Sequence, residues 1–252
     1  MNLLAFDTST EVMTIAVSRT VGDSVSVRVH TGAGGALASA NLIGQVMALL
    51  QQADLTLKNL DAICFGAGPG SFTGLRTACA VAQGLAYGAG VPVLAVDSLL
   101  AVAEEARFQA LVDQPACRIT ALLDARMDEM YTATWAWEGA LWTELKESAL
   151  QRPEALQPDG AVLAGNVFGV YAGRLGAAHG GLGIALQVTA LPTATAMLRV
   201  ASQLLAAGLA VEAAQALPRY IRDKVAETTA ERDRKKALAR DATQASSAVA
   251  SS

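Results

Sequence analysis

The chain has 252 residues, 52% apolar and 17% charged, a balance that argues against a disordered chain and leaves length enough for a full hydrophobic core. Its three cysteines, Cys64, Cys79 and Cys117, are odd in number and sit in or near apolar segments, which suits a reducing compartment better than a disulfide framework. The net charge of -4 divides unevenly: residues 1–218 hold 11 Lys and Arg against 18 Asp and Glu, whereas residues 219–240 hold 8 against 4, and an acidic body with a basic tail makes a poor stand-alone binder of nucleic acid.

In chain order, the first segment is an apolar strand ending at Phe6, with no basic leader and no cleavage site, so no signal peptide is expected. A polar turn, "DTSTE", and an alternating strand over 12–17 complete a hairpin, and residues 24–30, "SVSVRVH", alternate as a third strand. The stretch "ALASANLIGQVMALLQQA" places Leu42, Ile43, Val46, Leu49 and Leu50 at helical spacing. "LDAICFGAG" is a buried strand running into the glycine loop of "GAGPGSFTGLRTA", residues 66–78, and a small-residue helix then closes at Gly88 or Gly90. "VPVLAVDS" gives a strand and "SLLAVAEEARF" a helix. Residues 77–96 are uncharged over the length of a membrane span, but Gln83, Gly84, Gly88, Gly90 and Pro92 divide them into helix, stop and strand, so no membrane partner is expected.

Past Pro115 the pattern starts again. An offset of 117 brings Asp7 onto Asp124 and lays "LLAFDTSTEVMTIAV" over "TALLDARMDEMYTAT"; each is an apolar strand, an aspartate, a short polar turn and a return strand. Residues 160–173, "GAVLAGNVFGVYAG", resemble the strand, glycine loop and helix start of the first half. The reading is an internal duplication of two α/β lobes. After Pro218 the composition becomes highly charged and then rich in Ala, Ser, Thr and Gln, so the middle of the tail is expected as a solvated helix and its end as disordered.

The glycine loop has two readings. Backbone N–H groups at a strand–loop–helix junction can hold an anion, through Gly66, Gly68, Gly70, Ser71 and Thr73. Alternatively the glycines make a tight turn, and Gly74, Ala78, Ala82 and Ala86 let the helix pack closely. No Gly-Lys-Ser/Thr follows, so it is not a P-loop, and Pro69 and the lack of an acidic residue before Asp97 spoil the dinucleotide pattern. Asp7 and Asp124, at strand ends, suit either Mg2+ binding and base chemistry or capping of their own turns. Arg126 beside Asp124 is read as neutralising it. Only His30 and His179 are present, too few for a His-based metal site, and Ser71 has no histidine base, so no catalytic or metal-holding residue is assigned.

At "GPGSFTGLR" the sequence resembles the bacterial TsaB (YeaZ) family, part of the wider group that includes the glycoprotease-like TsaD proteins. The resemblance continues in "LLAFDTST", "AQGLAYGAGVPVLAVDSL", "DARMDEMY" (124–131) and "PRYIRDKVA" (218–226), in order across most of residues 1–226. It implies an α/β fold of two RNase-H-like lobes of the ASKHA (actin-like ATPase) superfamily, with lobes at 1–113 and 114–222 and a tail at 223–252. It also implies a cytoplasmic role in forming threonylcarbamoyladenosine next to the anticodon of tRNAs that read codons starting with A. In that scheme a TsaD-like subunit carries the metal and the chemistry, and a TsaE-like ATPase joins the assembly. The resemblance implies that the present chain is a non-catalytic subunit without a cofactor of its own, expected to stabilise and orient the TsaD-like protein and to reach tRNA through the complex, with ATP or ADP belonging to the assembled complex. The metal-holding relatives carry His-x-x-x-His on the helix after the third strand, whereas this helix has no histidine, with Ala38 where one is expected.

The resulting expectations are a vestigial phosphate site at Asp7, Thr8, Gly68, Gly70, Ser71 and Asp124, and a partner surface at Leu42, Val46, Leu49, Gly74, Arg76, Ala78 and Ala82, used by a homodimer when the partner is absent. The alternative is a nucleotide-binding or ATP-hydrolysing protein that uses Asp7, Asp124 and the 66–74 loop. A peptidase is the weakest reading, for want of metal ligands or a triad.

Overall fold

Four apolar residues and an aspartate near the start of the chain become the centre of a sheet. In the computed structural model, which describes residues 1–157, 162–175 and 186–222, β1 (Leu3–Asp7) is buried along its whole length. The reason is pairing on both edges, antiparallel with β2 (Val12–Val21) and parallel with β4 (Ala62–Gly68). β2 and β3 (Ser24–Ala33) are longer than their alternation predicts, because a two-residue turn at Gly22 and Asp23 lets the hairpin continue to its tip. Helix α1 (Ala36–Gln52) follows β3 and covers one face of the sheet with Leu42, Val46, Leu49 and Leu50. Helix α2 (Phe72–Ala89) lies beside it and turns Ala78, Cys79, Ala82 and Ala86 inward. Gly90, at φ 71, ends α2 by donating to the Ala86 carbonyl at 2.8 Å, which decides between the two predicted stops.

After β5 (Val93–Asp97) comes α3 (Ser98–Ala110), whose first turn is capped by the Asp97 carboxylate accepting from the Leu99 and Leu100 amides. The second sheet is then built from β6 (Ala116–Arg126), β7 (Glu129–Glu138), β8 (Leu141–Gln151), β9 (Val162–Gly165) and, after α4 (Phe168–Leu175), β10 (Gln187–Thr189). α5 (Ala194–Ala206) and β11 (Ala210–Val211) follow.

The strand orders are β11-β5-β4-β1-β2-β3 and β10-β9-β6-β7-β8. Without β11 they are the same order in the same directions: three antiparallel strands, then two parallel to the first. The predicted duplication is thus present strand for strand, and the architecture is the two-lobed α/β arrangement of the ASKHA fold. The copies differ between the third and fourth strands, where the second lobe has a 3-10 turn over Pro153–Ala155 among the described residues instead of an α1.

Met1–Ile221 is one compact unit. Helices α3 and α5 pack against each other, and α3 touches strands of both sheets. A single apolar cluster accordingly joins Leu3 and Ala5 of β1 to Ile119 and Leu123 of β6 through Leu99, Val102 and Ala106. The stretch 114–222 is not closed on itself, because β11 returns to pair with β5 in the first sheet. The predicted tail beyond Arg222 and the start of the predicted repeat at residues 160 and 161 lie outside the described residues. No described helix is long and apolar enough to cross a membrane.

Candidate functional site

The glycine loop folds against the β1–β2 turn. Thr8 Oγ1 donates to the Gly74 carbonyl at 2.7 Å, and the Ser71 amide donates to the Ser9 carbonyl at 2.7 Å. These contacts need glycine at both ends: a Cβ on Gly74 would stand 1.9 Å from the Thr8 oxygen, and one on Gly70 would stand 2.7 Å from the Ser9 oxygen. Gly68, at φ 113, is pressed from a third side, since its Cβ would lie 2.6 Å from the Arg219 carbonyl. The Arg219 amide donates to Ala67 O at 2.7 Å, and its guanidinium pairs with Asp97 at 3.0 Å.

The two aspartates face their own turns. Asp7 is fully buried, and its Oδ1 accepts from the Ser9 amide at 2.8 Å and from Ser9 Oγ at 2.7 Å. Ser98 Oγ donates to the other oxygen at 3.4 Å. Burial lifts the Asp7 carboxyl to about 6, against the opposing pull of the Ser9 hydrogen bonds. Gly66 makes room for that carboxylate, since a Cβ there would fall 1.8 Å from Oδ2. Asp124 repeats the arrangement in the second lobe, its Oδ1 accepting from the Arg126 amide at 2.9 Å and from the Tyr171 hydroxyl at 2.8 Å. Arg126 reaches instead to Glu11, tying the turn of one lobe to the turn of the other, so it does not neutralise Asp124 as expected.

The expected phosphate site therefore takes a different form. Asp7, Thr8, Gly68, Gly70 and Ser71 come together, but as a closed knot in which the Ser71 amide, a donor an anion would need, is already bonded to Ser9. Among the described residues, no three His, Cys, Asp or Glu side chains gather as metal ligands would.

The expected partner surface needs a larger correction. Leu42, Val46, Leu49, Gly74, Ala78 and Ala82 are all buried, because these helices turn that face to their own sheet. Of the seven residues only Arg76 is exposed; its guanidinium stacks 3.8 Å over Phe72, and its Nε donates to the Tyr220 hydroxyl at 3.0 Å. The outward apolar residues are Leu37, Ile43 and Met47 on α1 and Phe72 and Tyr87 on α2, with Tyr87 84% exposed. Of these only Met47 lines a pocket, of about 840 Å3, with Leu55, Leu57, Gly88 and Ala89. The signal in the sequence was a helix with two apolar stripes, 42/46/49 and 43/47, of which a sheet can bury only one.

A third feature holds the lobes to each other. Glu104 on α3 is 1% exposed and accepts from Arg107 at 2.8 and 3.0 Å, from Arg199 on α5 at 2.6 Å and from Trp142 Nε1 on β8 at 3.0 Å. Residues 98–104 of α3 are buried all round, so a carboxylate there needs partners on every side.

Residues 29–230 match the family described as TsaD, tRNA N6-adenosine threonylcarbamoyltransferase. The chain is 32% identical over 232 residues to the tRNA threonylcarbamoyladenosine biosynthesis protein TsaB of Escherichia coli (strain K12), an alignment spanning 90% of this chain and 96% of that one. With the protein of the same description from Haemophilus influenzae it shares 31% identity over 241 residues, covering 89% and 95% of the two chains. Among solved structures, YeaZ from Pseudomonas aeruginosa is 36% identical with a TM-score of 0.73, covering 87% of this chain and 99% of that one.

Proposed function

The chain belongs to the TsaB (YeaZ) family and is involved in the biosynthesis of threonylcarbamoyladenosine in tRNA, and from that premise we propose that it acts as a non-catalytic subunit, stabilising and orienting a TsaD-like subunit that performs the transfer. The observation that carries this reading is the closed knot between the glycine loop and the β1–β2 turn. Thr8 Oγ1, the Ser71 amide and both strand-end carboxylates are bonded within the chain, which supports a protein that works by contact and needs no cofactor of its own. Nucleotide then enters only with the assembled complex, through a TsaE-like ATPase, and tRNA is reached through the same assembly in the cytoplasm.

The outer faces of α1 and α2 are the contact surface for the TsaD-like partner: Ile43, Met47 and Tyr87 are exposed there and Met47 also lines the pocket, apolar surface of the kind that marks partner sites. Mixing the purified chain with its TsaD-like partner and resolving the mixture by size exclusion should give one stable complex. Met47→Lys should abolish that complex while leaving the melting temperature of the chain unchanged. A partner that elutes alone in the presence of excess wild-type chain would remove the reading.

A further inference from the structure

The charges of this chain are sorted along its length. Residues 1–218 hold 11 Lys and Arg against 18 Asp and Glu, a balance that repels polyanions, whereas residues 232–240, "RDRKKALAR", set five Lys and Arg against one Asp. That run lies outside the compact unit Met1–Ile221 and past the matched family region, which ends at residue 230. Core packing gives no reason for it, since Leu238 is its one bulky apolar residue. Residues 223–252 as a whole add only Val225 and Val249, and they hold no aromatic ring. A membrane-surface segment buries an apolar face along with its cations, and this composition has none to bury. A polyanion needs the cations alone, because the release of its counterions supplies the affinity. Membership of a tRNA-modification family makes tRNA the polyanion at hand.

The folded surface around Tyr220, near the end of the compact unit, has the same character. The Tyr220 ring centroid lies 5.4 Å from that of Phe72, and its hydroxyl accepts from Arg76 Nε at 3.0 Å. Phe72 and Tyr220 are 39% and 43% exposed. The Arg76 guanidinium sits 3.8 Å from the Phe72 centroid and 5.9 Å from that of Tyr220, and among the described residues it pairs with no carboxylate. Exposed rings beside an uncompensated guanidinium are the groups on which unpaired bases stack and against which phosphates settle.

We propose that the 232–240 run binds the phosphate backbone of tRNA directly, with Arg76 and the two rings beside it as a foothold on the folded body. Resting on the chain's place in a tRNA-modifying assembly, this contact adds a second route to tRNA besides the one through the partner. The acidic body keeps the chain by itself a poor binder. Once a TsaD-like subunit holds the tRNA, the run meets it at a high effective concentration, and contacts too weak to act alone then add to the affinity of the whole. Phosphate contacts carry no sequence information, so the run strengthens binding without choosing among tRNAs.

Fluorescence anisotropy of labelled tRNA, titrated across a salt series with the complex of the whole chain and its TsaD-like partner, tests this. Arg232→Gln, Arg234→Gln, Lys235→Gln, Lys236→Gln and Arg240→Gln combined should weaken binding about tenfold or more at about 0.1 M salt. The slope of log affinity against log salt should become shallower by about four to five, close to one for each cation lost, and Arg76→Gln alone should lower it by about one. The fivefold variant should melt as wild type does and still co-elute with the partner, so a failure here is separable from a failure of the contact reading. Equal affinity and equal slope in the wild-type and fivefold-variant complexes overturn the proposal while leaving that reading in place. A fivefold variant that binds tRNA more tightly overturns it by showing the run paired with the acidic body, and one that no longer co-elutes overturns it by placing the run at the partner. Wild-type chain that sediments with phosphatidylserine vesicles, in a complex whose tRNA affinity the fivefold variant does not change, overturns it in favour of a membrane.

Discussion

Gly66 on β4 and Gly74 on α2 let the end of β1 and the turn after it approach more closely than any side chain allows, with hypothetical Cβ atoms 1.8 Å from Asp7 Oδ2 and 1.9 Å from Thr8 O. Gly74→Ala should therefore cost about 4 kcal/mol or more, since the obstacle is backbone and neither turn is free to move; urea unfolding measures it, and wild-type stability would contradict the packing role. Asp7 makes its own prediction. Its carboxyl moves from an ordinary 3.8 to about 6 on folding, so the native state holds the extra proton between those values. The stability Asp7 contributes is whole below the lower value and is lost as pH rises through the upper one, a fall of about 3 kcal/mol at 1.36 kcal/mol per unit. Asp7→Asn keeps an oxygen to accept from Ser9 and removes the titration, so its unfolding free energy should lack that fall; an unchanged pH profile would contradict it. At this scale the glycines were legible as special, but their meaning was not. The same spacing serves an anion cradle or a close crossing, and only the arrival of Ser9 and Arg219, far away in sequence, decides between them.

Helix α3 owes its buried glutamate to its position between two sheets. Removing the carboxylate with Glu104→Ala leaves Arg107 and Arg199 facing each other without their shared partner, and should cost about 3 kcal/mol in urea unfolding. Glu104→Gln should recover part of that loss, because an amide oxygen can still accept from Trp142 Nε1. Equal losses in the two variants would show that the charge alone matters. The segment "SLLAVAEEARF" was readable as a helix, yet nothing in it tells Glu104 from Glu105, since Trp142 and Arg199 come from later elements. Helix α1 shows the same limit in another form. Its periodicity predicted the helix, but the stripe read as the partner surface is the one the sheet covers, and the outward residues are one position along, at Ile43 and Met47.

At the scale of the molecule, the duplication was legible because each lobe repeats its opening hairpin and aspartate at a constant offset, and the sheets bear it out in strand order and direction. The return of the chain to the first sheet was not, because β11 is only two residues long and residues 213–220 have little periodicity of their own. That return matters, since Arg219 and Tyr220 lock the glycine loop and the start of α2 from outside. A molecule closed in this way, with its lobes joined through Glu104, is built to present a fixed surface. A subunit proposed to supply contact and no chemistry leaves its mark in the nucleoside content of tRNA. With the TsaD-like subunit and the other components of the pathway held constant, threonylcarbamoyladenosine should form when this chain is added, at a wild-type rate with Ser71→Ala, and should fail to form with Met47→Lys. Full modification in the absence of the chain, or loss of modification in a Ser71→Ala variant that still forms the complex, would contradict the account.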